Sequence, residues 1–381
     1  MEHLHRYQPI CYFEYADSLN AQLQSIKSRM SSHIPHLDRI SFALFDEHEQ
    51  TLRTYADSSL LSLQKAHYEA SISRLPALKQ CMESGVPRVL NDLTDMTPSP
   101  HITMLIECGY RSSAAIPLYQ SGDFIGFAFL NSFTKAAFDL SIITRLKPYI
   151  DMIQFAVFSE YQLVHAIIEC AEQVQRHSPV YHRESQAHKE RIAFYARIIA
   201  ANLADMYGFD DETVENISLF AQFHDLGKTR LPVTLLCKMA PLTSKELIQI
   251  RKHIQHGMDI IDEILEALGY PHHPSVLLLS QIMAHHHEFL DGSGYPDGLI
   301  GEEIPIAARI VSVANIYDAM TAHKPYRQAC SAMHAILELE KMVHQGKLDK
   351  HCVEALRESQ SILAEHASDF PEFDPKDGFY Q

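Results

Sequence analysis

Twenty-four histidines stand in this 381-residue chain, and several fall where imidazoles and carboxylates can reach one point. Glu184 and His188 lie four residues apart in a stretch of helical spacing, so both project from one face. His224-Asp225 ends an otherwise apolar helical stretch and is followed by Leu226-Gly227-Lys228. An ionisable pair buried there is costly unless it is paired or bound to metal. His253 opens His253-Ile-Gln-His-Gly257, and His285-His-His-Glu288 runs into Asp291-Gly-Ser-Gly-Tyr-Pro-Asp-Gly298. With so many histidines, chance alone supplies roughly one or two His-His neighbours and about as many His-Asp ones, so the weight lies on order and setting. Imidazoles with a few carboxylates suit Fe, Mn, Ni, Co or Zn, and the lack of clustered thiolates argues against a structural Cys-rich zinc site. On a regular helix, neighbours such as His286 and His287 diverge by about 100°. They either share an ion where the backbone allows it or address different sides of one cluster.

These residues need a scaffold, and the chain is long enough for two domains with sizeable cores: 46% of it is apolar and 21% charged. A net charge of −16 excludes a general attraction to DNA, RNA or anionic lipid. Seven scattered cysteines without a CxxC read as reduced thiols. No run of 18 apolar residues occurs, and the N-terminus does not begin a signal peptide, so a cytoplasmic protein without membrane contact is expected. Phe13 to Met30 has helical spacing, Ile40 to Phe45 alternates as a strand does, and Ile102 to Cys108 reads as a short helix closed by Gly109. Ser113 to Leu118 and Phe124 to Leu130 form a hairpin about Ser121-Gly122-Asp123. Apolar residues from Ile143 to Val174 recur at three- or four-residue steps, predicting a long connecting helix. Beyond Arg176 the pattern is helix after helix: Arg191 to Met206, Glu212 to Leu226, Leu247 to Leu268, Ser275 to Phe289 and Pro305 to Ala322.

Roughly residues 25 to 155 resemble a GAF domain, on Ser84-Gly-Val-Pro-Arg-Val-Leu-Asn-Asp92, Gly109 to Leu118, Gly122-Asp-Phe-Ile-Gly-Phe127 and Ala137-Phe138. His101 and Cys108 within it read as packing or surface groups and not as ligands. Residues from about 176 to 370 resemble an HD-GYP domain, the helical metal-dependent phosphodiesterases that degrade cyclic di-GMP in bacteria. The pieces stand in that family's order: Glu184-x-x-x-His188, His224-Asp225 with Gly227-Lys228, His253-x-x-x-Gly257, His286-His287-Glu288 and Gly294-Tyr295-Pro296. Gly301 to Pro305, Ala308-Arg309-Ile310 and Lys324-Pro-Tyr-Arg327 complete the set. The expected architecture is multidomain: a GAF-like α+β unit with an antiparallel sheet at 1–150, a connecting helix at 143–176, and an all-α HD-type bundle at 177–381.

The resemblance places Glu184, His188, His224, Asp225, His253, His286 and His287 on metal-ligand positions, with Asp225 as the bridging carboxylate. It implies two divalent transition metals, or three with Glu184, Fe or Mn foremost. Asn315 stands where the family has an Asp ligand; it offers a carbonyl oxygen without the charge, so metal is held less firmly. Asp318, three residues on, either compensates or serves as a structural partner. The implied reaction is attack on cyclic di-GMP by a water deprotonated between the metals, giving linear pGpG and, on a second cleavage, GMP. Lys228 is placed to touch the phosphate or the departing oxygen. Tyr295 is read as stacking on a base or orienting a phosphate, and Arg309, Lys324 and Arg327 as binding the second phosphate or guanine edges. Lys324 replaces the family's usual Arg, so a bidentate contact is lost there. Two other readings stay open: an HD-GYP module weakened or silenced by Asn315 that binds a cyclic dinucleotide or a protein, and a phosphodiesterase for another cyclic dinucleotide such as cyclic GMP-AMP. A homodimer through the GAF-like domain and connecting helix is expected, with a diguanylate cyclase or other signalling protein as a further partner.

Overall fold

The computed structural model describes residues 18–47, 50–59, 69–178, 186–238, 240–269, 273–322 and 330–367. They form two compact units, one built mainly from residues up to 160 and the other from residues 161 onward. Their architecture is the expected one, an α+β unit followed by helices.

In chain order the first unit comprises α1 (Leu19–Ser31), β1 (Arg39–Asp46), β2 (Thr51–Asp57), β3 (Glu69–Ser71), α2 (Pro76–Ser84), β4 (Arg88–Leu90), α3 (Pro100–Glu107), β5 (Ser112–Gln120), β6 (Asp123–Ser132), α4 (Leu140–Arg145) and the start of α5 (Lys147–Arg176). The strands make one antiparallel sheet in the order β3-β2-β1-β6-β5-β4. Strand periodicity sorts its faces. Ala114, Ile116 and Leu118 of β5 meet Leu19, Leu23, Ile26 and Met30 of α1 and Ile150, Ile153 and Val157 of α5 on one side. Ala115, Phe127 and Phe129 meet Leu78 and Cys81 of α2 on the other. The helix expected from Ile143 is interrupted: Leu146 closes α4, donating its N–H to the Ile142 and Ile143 carbonyls, before α5 starts at Lys147. Strands β2 and β3 have no counterpart in the sequence reading, because β2 lacks clean alternation and β3 is only 3 residues long.

The second unit continues α5 and adds α6 (Gln186–Tyr207), α7 (Asp211–Ala221), α8 (Val233–Leu236), α9 (Ser244–Arg251), α10 (His253–Leu268), α11 (Pro274–His285), α12 (Ile306–Thr321), α13 (Ala332–His344), α14 (Lys350–Glu358) and α15 (Gln360–Ala367). Among the described residues it holds no strand beyond an isolated bridge between Asp291 and Ile300. Its core unites Ile192, Tyr195 and Ile199 of α6 with Ile217 and Phe220 of α7, Ile260 and Ile261 of α10, Ile282 of α11 and Ile310 of α12.

Three helices end earlier than their apolar spacing predicts. Helix α7 stops at Ala221, and a 3-10 turn follows over Leu226–Arg230. The stretch 247–268 is two helices parted at Lys252, the first started by a Thr243–Glu246 capping box. Helix α11 ends at His285, leaving His286 and His287 in a turn. Gly227 holds one of these breaks against another: a Cβ there would lie 1.8 Å from the His253 carbonyl oxygen and 2.4 Å from the Gly257 nitrogen. Backbone cannot yield as a flexible side chain does. Gly227→Ala is therefore expected to destabilise the protein by about 1–3 kcal/mol or more, read as a lower midpoint in urea followed by circular dichroism; an unchanged midpoint would contradict the close approach.

Candidate metal centre

The three helix breaks bring their histidines to Asp225. One ligand-type atom each from Asp225, His253, His286 and His287 lies within 4.8 Å of the others. His224 Nε2 is 3.1 Å from Asp225 Oδ2, while His253 and His286 approach Oδ1 with Nε2 at 3.2 and 3.9 Å. The His286 and His287 ring centres are 4.2 Å apart, since the turn frees them from helical divergence. His188 borders the group, its ring centre 6.1 Å from that of His224.

Backbone carbonyls set the tautomers. His224 Nδ1 donates to Ala221 at 2.8 Å, His253 Nδ1 to Ile250 at 2.7 Å, and His286 Nδ1 to Ile282 and Met283 at 3.1 Å. A carbonyl only accepts, so each Nδ1 carries a hydrogen, and in the neutral ring the Nε2 lone pair then faces Asp225. The Nε2 atoms of His253 and His286 and Oδ1 of Asp225 are buried without a hydrogen bond. Electron pairs packed against one another in a dry site are costly, and a shared cation removes that cost. This donor set fits a divalent transition metal.

The charges agree with that use. Burial alone would raise the Asp225 carboxyl, but the Lys228 ammonium is the foremost opposing influence, and the group is held well below the usual carboxylate range. Lys228 pairs directly with Asp225 Oδ2. Burial pushes His286 well below an ordinary imidazole and His287 down to about 3. Both are thus neutral near pH 7, as ligation requires.

Asp318 does not compensate for Asn315. Its carboxylate takes the Arg191 guanidinium at 2.5 and 3.1 Å and His188 Nδ1 at 2.6 Å, almost fully buried. Its partners lower its pKa against the effect of burial. Asp318 therefore orients the His188 ring. Asn315 itself is half-buried on α12, one turn earlier.

Glu288 fastens the glycine-rich loop by accepting from the Asp297 and Gly298 amides at 2.7 and 3.0 Å. A Cβ on Gly294 would fall 2.4 Å from Glu288 Cα, so only glycine lets the loop lie this close. Tyr295 then stacks on His287, centre to centre 4.7 Å, and the Arg251 guanidinium lies 4.6 Å from the same ring's centre. Arg309 is engaged by the Ile304 carbonyl at 2.7 Å and by Asp349 at 3.1 Å. Glu184, Lys324 and Arg327 lie outside the described residues. Sequence reasoning missed Arg191 and Arg251; their only signal was position, three residues after His188 and two before His253.

The depressed histidines carry a pH signature. An unfolded His titrates at about 6.5, so acid protonates the unfolded chain first while folded His287 stays neutral until about 3. Metal-stripped protein should lose stability as the pH falls from about 6.5 toward 3. In His287→Gln that loss should be shallower, measured as urea midpoint against pH; identical slopes would place the imidazole in water.

Residues 171–352 match a family model described as an HD domain. The "Cyclic di-GMP phosphodiesterase response regulator RpfG" of Xanthomonas campestris pv. campestris is 34% identical over 181 residues, covering 47% of this chain and 46% of its own. A "Cyclic di-GMP phosphodiesterase" of Thermotoga maritima is 32% identical over 191 residues, 50% and 48% of the two chains. The "3'3'-cGAMP-specific phosphodiesterase 2" of Vibrio cholerae is 34% identical over 145 residues, 38% and 26% of the two chains. The chain spans half or less of the length of these curated relatives. No helix among the described residues is long and apolar enough to cross a membrane. Residues 171–352 thus match the HD-domain family, and they follow an α+β unit in the chain.

Proposed function

We propose that this chain is a signalling phosphodiesterase that hydrolyses cyclic di-GMP to linear pGpG, GMP being the product of any second cleavage. The observation that carries the reading is the convergence of the His253 and His286 Nε2 lone pairs on a buried Asp225 oxygen that makes no hydrogen bond. His188, His224 and His287 join them, with Asn315 lending a carbonyl oxygen and Glu184 the additional ligand of a three-metal form. Two or three divalent ions, Fe or Mn, would supply positive charge to the phosphate oxygens and lower the pKa of the attacking water. Asp225 supplies negative charge to that centre, and Asp318 keeps the His188 ring in place. Lys228 carries a movable positive charge: paired with Asp225 here, it reaches a phosphate or steadies the oxygen that departs. Lys324, Arg327 and Arg309 are assigned the guanine edges or a share of the second phosphate. Support for the substrate class comes from the relatives named for cyclic di-GMP and for 3'3'-cGAMP.

The regulatory layout belongs to the same proposal. Residues 1–150 sense a signal or dimerise, the helix at 143–176 connects, and residues 177–381 carry the chemistry, in a cytoplasmic homodimer. A second reading, a weak or silent module that binds the dinucleotide, is favoured by one observation: Asp318 is held by Arg191 and His188, so the carboxylate missing at Asn315 is not replaced from that residue.

Protein purified without oxygen and loaded with Mn or Fe should release pGpG from cyclic di-GMP on product chromatography, and Asp225→Ala should lose at least about a thousandfold of that rate. Asn315→Asp should bind more metal and turn over faster. Undiminished activity in Asp225→Ala would refute the phosphodiesterase reading, and tight binding without product in both wild type and Asn315→Asp would establish the silent module.

A further inference from the structure

Tyr295 is the family's eponymous aromatic, yet in this chain its ring is already engaged. His287 stacks on it at an interplanar angle of 25°, and the Arg251 guanidinium lies 4.6 Å from its centre. A base stacking on that ring would compete with these two planes. The group that reaches outward from them is Arg251, at the last residue of α9, exposed and two residues before His253. Its guanidinium stands one aromatic ring away from His287. Cation–π contact fixes the plane of the guanidinium while leaving its N–H groups free to donate along their edge. Such a preset fork suits a phosphate, which it binds bidentately.

We propose that Arg251, steadied by Tyr295 beside the histidine cluster, binds the second, non-reacting phosphate of the cyclic dinucleotide, and that Tyr295 acts mainly by positioning it. The inference rests on the phosphodiesterase reading above. It shifts recognition of the far end of the substrate onto a residue that neither the HD doublet nor the glycine-rich loop contains. Lys228 then faces the reacting phosphate and Arg251 the other one, so a substrate with two phosphates is distinguished from a simple diester.

The test compares cyclic di-GMP with bis(p-nitrophenyl) phosphate, which has a single phosphate, on the full-length Mn-loaded protein. In Arg251→Ala the KM for cyclic di-GMP should rise about tenfold or more with a smaller change in kcat, and the preference for cyclic di-GMP, as a ratio of kcat/KM values, should fall about tenfold. Metal content should equal that of wild type. Arg251→Lys, which keeps the charge and loses the fork, should recover only part of the loss. Tyr295→Phe, which keeps the ring under the guanidinium, should keep the preference, whereas Tyr295→Leu should lower it. An unchanged KM in Arg251→Ala, or an equal loss on both substrates, would overturn the assignment while leaving the phosphodiesterase reading intact. A wild type that cleaves the simple diester but not cyclic di-GMP would overturn both.

Discussion

The helical unit depends on one electrostatic constraint: an aspartate oxygen and imidazole lone pairs face each other in a space that excludes water. Such a set is unfavourable alone and favourable around a cation. The packing holds the donors together despite that cost, chiefly through backbone approaches that no side chain can enter. Gly227 lies on the His253 carbonyl and Gly294 on the Glu288 backbone. These contacts fix the spacing of the HD doublet, the start of α10 and the loop that carries Tyr295.

Helix ends and site chemistry are coupled here. The carbonyls of a helix's last turn lack intrahelical partners and carry the negative end of its dipole. In α7, α9 and α11 those carbonyls, at Ala221, Ile250 and Ile282 with Met283, each accept an Nδ1–H from a site histidine. The same bonds terminate the helices, fix three tautomers and make the opposite nitrogens more basic. A histidine placed one turn earlier would point from a regular helix and lose its carbonyl. His188 obtains the same service from Asp318, and Arg191 holds that carboxylate in turn.

The constellation was legible in the sequence because its members come as short words in a fixed order, and the α+β-then-helical division followed from the change in apolar period. The helix ends were not legible. Phe220, Phe223 and Leu226 are three apart, which suits a continuing α-helix as well as the tighter 3-10 turn that follows α7. Likewise, apolar residues run on through Lys252, where only packing against Gly227 shows why the helix must part. The role of Asp318 was open in the same way, since one turn from Asn315 it was able to face either the metal ligands or a cation. The choice is made by Arg191, 127 residues away in sequence and brought close only when α6 packs on α12. Strand β3 is too short for any periodicity to register.

The most direct test of the account is anomalous diffraction from crystals of the Mn-loaded protein. Density is expected within bonding distance, about 2.0–2.3 Å, of Asp225 and of the Nε2 atoms of His253 and His286, with their Nδ1–carbonyl bonds intact. Fully loaded crystals with no anomalous peak among these atoms, or with metal on Nδ1, would contradict it.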